Sequence, residues 1–119
     1  MRAMYMAGPD PVTVCALDLD AASGRLLDAL NGYEHTVDPD ALAAIRRVLV
    51  ALEQSTGQIG DTLHSTAVEQ ESDPWDRTAV HLYNTVRNLH EGQALLASAQ
   101  ITLGRALAEE EEAGAEESR

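Results

Sequence analysis

Residues 82–103 read LYNTVRNLHEGQALLASAQITL, and leucine recurs in this stretch at intervals of seven. Spacings of three and four residues connect the leucines to further apolar or amide side chains. The resulting set is Leu82, Val86, Leu89, Gln93, Leu96, Gln100 and Leu103. Such spacing places side chains in one stripe along an α-helix, as in the seam of a coiled coil. The stretch therefore predicts a long helix over about 74–110.

A second apolar seam precedes this one and repeats the same alternation of three and four. Its members are Leu42, Ile45, Leu49, Leu52, Thr56, Ile59, Leu63 and Thr66. The pattern predicts a helix over about 39–66. Two glycines, Gly57 and Gly60, interrupt it, and each costs about 1 kcal/mol relative to alanine inside a helix. The glycines leave room for a kink or a break near 55–61.

Three Asp-Pro steps mark predicted helix starts, because aspartate caps free backbone N–H groups and proline suits the first helical position. They are Asp10-Pro11, Asp38-Pro39 and Asp73-Pro74. The first step opens a shorter predicted helix over about 11–31, which Asn31-Gly32 ends. Residues 11–17 also fit a short strand, because Val12-Thr13-Val14 is β-branched.

The sequence predicts an all-α fold, an elongated antiparallel helical hairpin or three-helix bundle with heptad seams. The connections 32–38 and 67–73 are short enough to make neighbouring helices antiparallel. We expect one helical domain over 11–108 after a flexible N terminus, 1–10. Residues 109–119 contain six glutamates and one arginine. Negative charge opposes the dipole at a helix C terminus, so we expect this segment to be a disordered tail.

The two long helices predict assembly. They would extend about 40 and 50 Å, and the first helix is too short to cover both. The uncovered stripe is expected on the third helix, so the interface residues are the set named for 82–103. Small, uncharged residues flank that seam: Thr78, Thr85, Gly92, Ala99 and Ala106. We therefore expect a homo-oligomer, most simply a dimeric helical bundle.

Composition excludes several function classes. The 119-residue chain carries a net charge of −12, and its eight basic residues are scattered arginines. Binding to a nucleic-acid backbone requires clustered basic residues, so we do not expect it. No apolar run is long enough for a bilayer, and no secretory leader is recognisable, so we expect no membrane association and a cytoplasmic location.

The residues do not form a recognisable catalytic or metal-binding pattern. No histidine pair has a ligand spacing, Cys15 is the single cysteine, and no glycine-rich phosphate loop is present. We therefore expect no cofactor, no metal and no enzyme activity. Tyr83 and His90 lie seven residues apart beside the third-helix seam and could border a ligand pocket.

The leading hypothesis is a non-enzymatic interaction and assembly protein that oligomerises through the leucine-rich helix and binds a protein partner. One alternative is an acidic nucleic-acid mimic that inhibits a DNA-binding protein. The other is a small-ligand sensor with an inter-helix pocket near Tyr83 and His90.

Overall fold

The computed structural model describes residues 10–32 and 37–117, and the regular structure in these ranges is helical. Helix α1 spans Pro11–Asn31, α2 spans Pro39–Gln70 and α3 spans Asp73–Glu117. The predicted all-α class is confirmed. Residues 1–9 of the expected flexible N terminus lie outside the described ranges.

Contacts divide the chain into two units, residues 1–36 and 37–119. The single domain expected over 11–108 stays a prediction. In the first unit, Val12-Thr13-Val14 is helical, which decides between the helix and the strand considered for 11–17. None of the described residues of α1 is buried, and Val12, Leu17 and Leu27 are among its most exposed apolar side chains.

Helices α2 and α3 pack against each other in the second unit and are joined by only Glu71 and Ser72. Glu71 adopts the left-handed conformation, with φ 52° and ψ 45°. The N–H groups of Glu71 and Ser72 both donate to the Ala67 carbonyl, which satisfies a free acceptor at the helix end. This arrangement extends α2 one turn beyond residue 66 and shortens the connection expected at 67–73.

The Asp-Pro steps start helices in different ways. The Asp38 carboxylate accepts a hydrogen bond of 2.8 Å from the Asp40 N–H, so the predicted cap on α2 is confirmed. Asp73 is the first residue of α3 and lies inside the helix, so its predicted capping role is wrong. The Ser72 carbonyl accepts from the Asp76 N–H, which begins the helical hydrogen bonding one residue earlier than expected.

The two predicted seams face each other in this hairpin. Their named members are half-buried on both helices, with the exception of Ile59. Ile59 is 44% exposed and the neighbouring Gly60 is buried in its place. Trp75 is 42% exposed, because long side chains lean toward the N terminus of a helix, which here is the end of the hairpin.

Burial in the hairpin is shallow. Among the described residues, the buried ones are Gly60, Ala67 and Ala79. A pair of helices touches along one line, so every larger side chain of the seam keeps one flank in water. The hairpin by itself therefore lacks the dense core that stabilises most domains.

Helix α3 is longer than expected. It continues to Glu117, through most of the segment 109–119 for which the sequence predicts disorder. Alanine and glutamate are strong helix formers, and their propensity supports the helix against the unfavourable terminal charge.

Candidate interaction surfaces of the hairpin

Contacts at three glycines fix how α2 and α3 are aligned. A Cβ atom built on Gly57 would lie 3.8 Å from Val86 Cγ2, and one built on Gly92 would lie 3.7 Å from Leu49 Cδ1. Gly60 lies against the ring of Tyr83. These contacts follow one antiparallel register from the connection at 71–72 toward the start of α2.

Polar side chains line one side of the hairpin and bond across it. We call this side the polar edge, defined as Glu53, Asp61 and His64 on α2 with Asp76, Tyr83, His90 and Gln93 on α3. Each of these bonds joins a carboxylate acceptor to a donor on the opposite helix. The polar edge therefore ties the two helices together in one register.

Tyr83 makes the shortest of these bonds. Its hydroxyl donates to Asp61 Oδ1 at 2.6 Å. The bond to Asp61, then desolvation and the negative charges of Asp61 and Asp76, raise the pKa of Tyr83 above 10.0. A Cβ atom at Gly60 would lie only 3.1 Å from Tyr83 Cε1, so glycine allows the ring to approach the helix backbone.

Glu53 is the acceptor for two residues of α3. Its carboxylate accepts from His90 Nδ1 at 3.1 Å and from Gln93 Nε2 at 2.8 Å. The Glu53 side chain is 23% exposed, whereas that of His90 is 74% exposed. Because Gln93 supplies a second donor, the half-buried carboxylate stays bonded whether or not the exposed imidazole is in place.

His64 and Asp76 close the polar edge near the connection, with Nδ1 and Oδ1 2.9 Å apart. Both also line a shallow concavity of about 360 Å³ beside Ala67, Glu71 and Ser72. A second concavity, of about 500 Å³, lies at the other end of the hairpin against Pro39, Gly104 and Leu107. Neither one is lined by Tyr83 or His90.

The opposite side of the hairpin has no charged residue over most of its length. We call it the uncharged face. Helical periodicity places two stripes there, Ala44, Val48, Ser55, Ile59, Thr62 and Thr66 on α2, and Thr85, Asn88, Gly92, Leu95, Ala99, Thr102 and Ala106 on α3. Val48 is 40% exposed, Ile59 44% and Leu95 72%. Large apolar side chains thus point into water on a surface without charges.

Four of the five hydroxyl groups of this face bond within their own helices, and the fifth is that of Thr102. Ser55 donates to the Ala51 carbonyl, Thr62 to that of Gln58 and Thr85 to that of His81, at 2.8 to 3.0 Å. Thr66 does the same with the Thr62 carbonyl. Their donors are therefore satisfied, and the threonines present mainly methyl groups to the outside.

The structure places the predicted interface set inside the hairpin. All seven residues are half-buried. Val86 lies beside Gly57 of α2, and Gln93 donates a hydrogen bond to Glu53. Assembly through this set stays a prediction, since a second chain could reach only its flanks. Tyr83 and His90 lie together, as expected, but each is bonded to a carboxylate on the polar edge.

Groups needed for metal binding do not converge in the part of the chain that the structure describes. No cluster of three or more histidine, cysteine or acidic side chains with suitable geometry occurs between residues 10 and 32 or 37 and 117. Cys15 is a free, exposed thiol. The described helices also include none that is both long and apolar enough to cross a bilayer.

Comparison of the chain with protein-family models, curated proteins and solved structures finds no match.

Sequence reasoning missed Glu53, Asp61 and Gly60 as parts of a site. Heptad positions do not reveal which residue of α2 lies opposite which residue of α3, because that alignment depends on where the chain turns between the helices. The signal for the uncharged face was present, since its α3 stripe includes small flanking positions at Thr85, Gly92, Ala99 and Ala106. The matching stripe on α2 was not recognised.

Proposed function

We propose that this chain is a non-enzymatic helical assembly protein that acts by associating with itself. The observation that carries the proposal is the shallow burial in the hairpin, where the described residues include none larger than alanine that is buried. Two packed helices with a continuous apolar seam need further helices to exclude water from it. A second copy supplies them.

The exposed apolar side chains support the same proposal. Leu95 on α3 is 72% exposed, and Val48 and Ile59 on α2 are 40% and 44% exposed. Single exposed leucines are common on soluble proteins, but a run along one hairpin marks an interaction surface. The binding of a different protein, also expected from the sequence, stays a prediction.

The two alternative functions have less support. An acidic nucleic-acid mimic needs carboxylates aligned as phosphates are, whereas consecutive helical residues such as Glu109 to Glu112 point in directions about 100° apart. A ligand sensor with a pocket at Tyr83 and His90 is not favoured, because both side chains are bonded to Asp61 and Glu53.

Sedimentation velocity of the full chain over a wide concentration range tests the proposal. We expect a species of twice the 12.8 kDa chain mass at micromolar concentration, with dissociation on dilution. Circular dichroism at the same concentrations should show helix content rising with dimer content, because association covers the seam. A folded monomer at every concentration contradicts the proposal.

A further inference from the structure

We infer that the uncharged face is the surface that receives a second copy of this chain, with the same face of each copy in contact across a two-fold axis. The inference rests on the proposed self-association and specifies where it occurs. The contact lies beside the leucine seam and covers its exposed flank, because α2 already occupies the inner side of that seam.

The distribution of charged residues favours a second copy of the chain as the partner that covers the uncharged face. The chain is strongly acidic, so two copies repel each other through most pairs of surfaces. On α2 the charged residues between 41 and 66 are Arg46, Arg47, Glu53 and Asp61, and all lie off the uncharged stripe. On α3 the charged residues between 78 and 108 are Arg87, Glu91 and Arg105; none belongs to the stripe, although Glu91 borders it beside Asn88 and Leu95. Through this face two copies of the hairpin can meet with few like charges opposed.

The hydrogen bonding of the face suits burial. A buried hydroxyl without a partner is unfavourable, and the donors of Ser55, Thr62 and Thr85 already bond to their own helices. A second copy can therefore cover these side chains without supplying matched polar groups. Asn88 and Thr102 are the polar side chains of the face without such a bond, so a polar partner would find few groups to bond there.

The dimensions of the face fit a stable dimer. Each stripe extends about 30 Å at 1.5 Å per residue. Two helices side by side are about 20 Å wide, so the face covers about 600 Å² before side-chain relief is counted. Specific interfaces bury about 600–1,000 Å² on each partner. The uncharged face is therefore large enough for self-association.

The shape of the α3 stripe, in which a large side chain alternates with small ones, is also suited to a two-fold contact. Leu95 is 72% exposed and stands between Gly92 and Ala99, three residues before it and four after it. In an isologous interface each copy presents the same projections and the same small residues. A protruding leucine of one copy can then lie over small residues of the other, and the helices approach closely.

Paired charge substitutions test the inference in the full-length protein. Leu95→Glu places a charge on the uncharged face. Ile101→Glu is the matched control, because Ile101 is 62% exposed on the same helix and lies five full turns from Tyr83, on the side of the polar edge. We expect Leu95→Glu to raise the dimer Kd by about 100-fold or more, and Ile101→Glu to change it by less than about threefold.

A second pair on α2 repeats the test. Val48 lies on the uncharged face and is 40% exposed, whereas Val50 lies on the polar-edge side and is 36% exposed. Val48→Glu is therefore the test variant and Val50→Glu its control. Val48→Glu should weaken the dimer as Leu95→Glu does. Circular dichroism of each variant shows whether the hairpin still folds.

Thiol reactivity provides a measurement that does not depend on a disruptive charge. With Cys15 replaced by serine, Ala99→Cys reports on the uncharged face and Ala94→Cys on the other side of α3. Reaction with a water-soluble disulfide reagent should be about tenfold slower at position 99 in the dimer than after dilution. Position 94 should react at the same rate under both conditions.

The outcomes separate the two proposals. A wild-type chain that is monomeric throughout overturns the proposed function itself. A wild-type dimer that resists Leu95→Glu and Val48→Glu, but dissociates with Ile101→Glu, overturns only the assignment of the face. If the thiol of the Ala99→Cys variant is protected at every concentration in a monomer, another segment of the same chain covers the face, and this also overturns the assignment.

Discussion

The two long sides of the hairpin differ in how their side chains satisfy their hydrogen-bonding groups. On the polar edge, each donor bonds to a carboxylate on the opposite helix, so each bond spans the two helices. On the uncharged face, the hydroxyls bond within their own helix, as Thr62 and Thr85 do. The first arrangement holds two helices together. The second leaves a surface that a further helix can cover.

The register of the two helices and their assembly with further helices therefore depend on different interactions. Exposed cross-helix pairs contribute only about 0.2–1 kcal/mol each, so the polar edge adds little to total stability. Its bonds are directional, however, and a one-turn slip would break all of them together. The uncharged face has no comparable directional contacts, and shape and apolar area must determine what packs there.

The largest effect is expected from the seam that both sides share. Leu89→Glu places a charge among half-buried side chains, which should cost more than about 3 kcal/mol and unfold the hairpin. Far-ultraviolet circular dichroism should show a clear loss of helix at 25 °C. Ala94→Glu, at an exposed position on the other side of α3 from the uncharged face, is the control and should keep its helix content.

A smaller effect is expected where Tyr83 approaches α2. Gly60→Ala gains helix propensity, but its methyl group displaces a ring whose hydroxyl is held by Asp61. Gly57→Ala has the same gain and meets Val86 at an ordinary distance. We expect Gly60→Ala to be less stable than Gly57→Ala by about 1–2 kcal/mol in urea unfolding. Equal urea midpoints for the two variants would show that the Tyr83 ring can move away from position 60 at no cost in stability.

Glu53→Gln and Thr62→Val compare the two sides directly. Glu53→Gln weakens the acceptor of two cross-helix bonds and should lower the unfolding free energy by about 1 kcal/mol. Thr62→Val removes a hydroxyl that bonds only to its own helix and should change stability by less than about 0.5 kcal/mol. A larger loss of unfolding free energy for Thr62→Val than for Glu53→Gln would contradict the proposed difference between the polar edge and the uncharged face.

The smallest effect is expected in the pH dependence of folding stability at alkaline pH. Because the folded-state pKa of Tyr83 is raised, its contribution is present below the unfolded value of 10.0 and is lost as pH rises through the higher folded value. Thermal unfolding should show an extra loss of Tm above about pH 10. Tyr83→Phe should remove that extra loss.

The hydrophobic seams could be predicted because helical periodicity is local information. The error at Ile59 has a physical cause, since an α-helix has 3.6 residues per turn and a strict heptad drifts about 20° per repeat. After two and a half heptads from Leu42, Gly60 faces α3 and Ile59 does not. Drift also brings Ala67 to a buried position beside the predicted Thr66.

The polar edge could not be predicted in the same way. A bond such as that between Glu53 and Gln93 joins residues forty positions apart. Its existence depends on the length of the connection, which the sequence predicts as 67–73 and which comprises only Glu71 and Ser72. The left-handed conformation of Glu71 is unusual for a residue other than glycine and gave no sequence signal.

The unequal lengths of α2 and α3 have a consequence for exchange with solvent. Helix α2 begins at Pro39, which lies beside Gly104 and Leu107, so the last turns of α3 have no α2 residue opposite them. A single helical segment of this length is marginally stable in water. Amide protons of one continuous helix should therefore exchange on two timescales, slowly along residues 79–100 and rapidly toward Glu117.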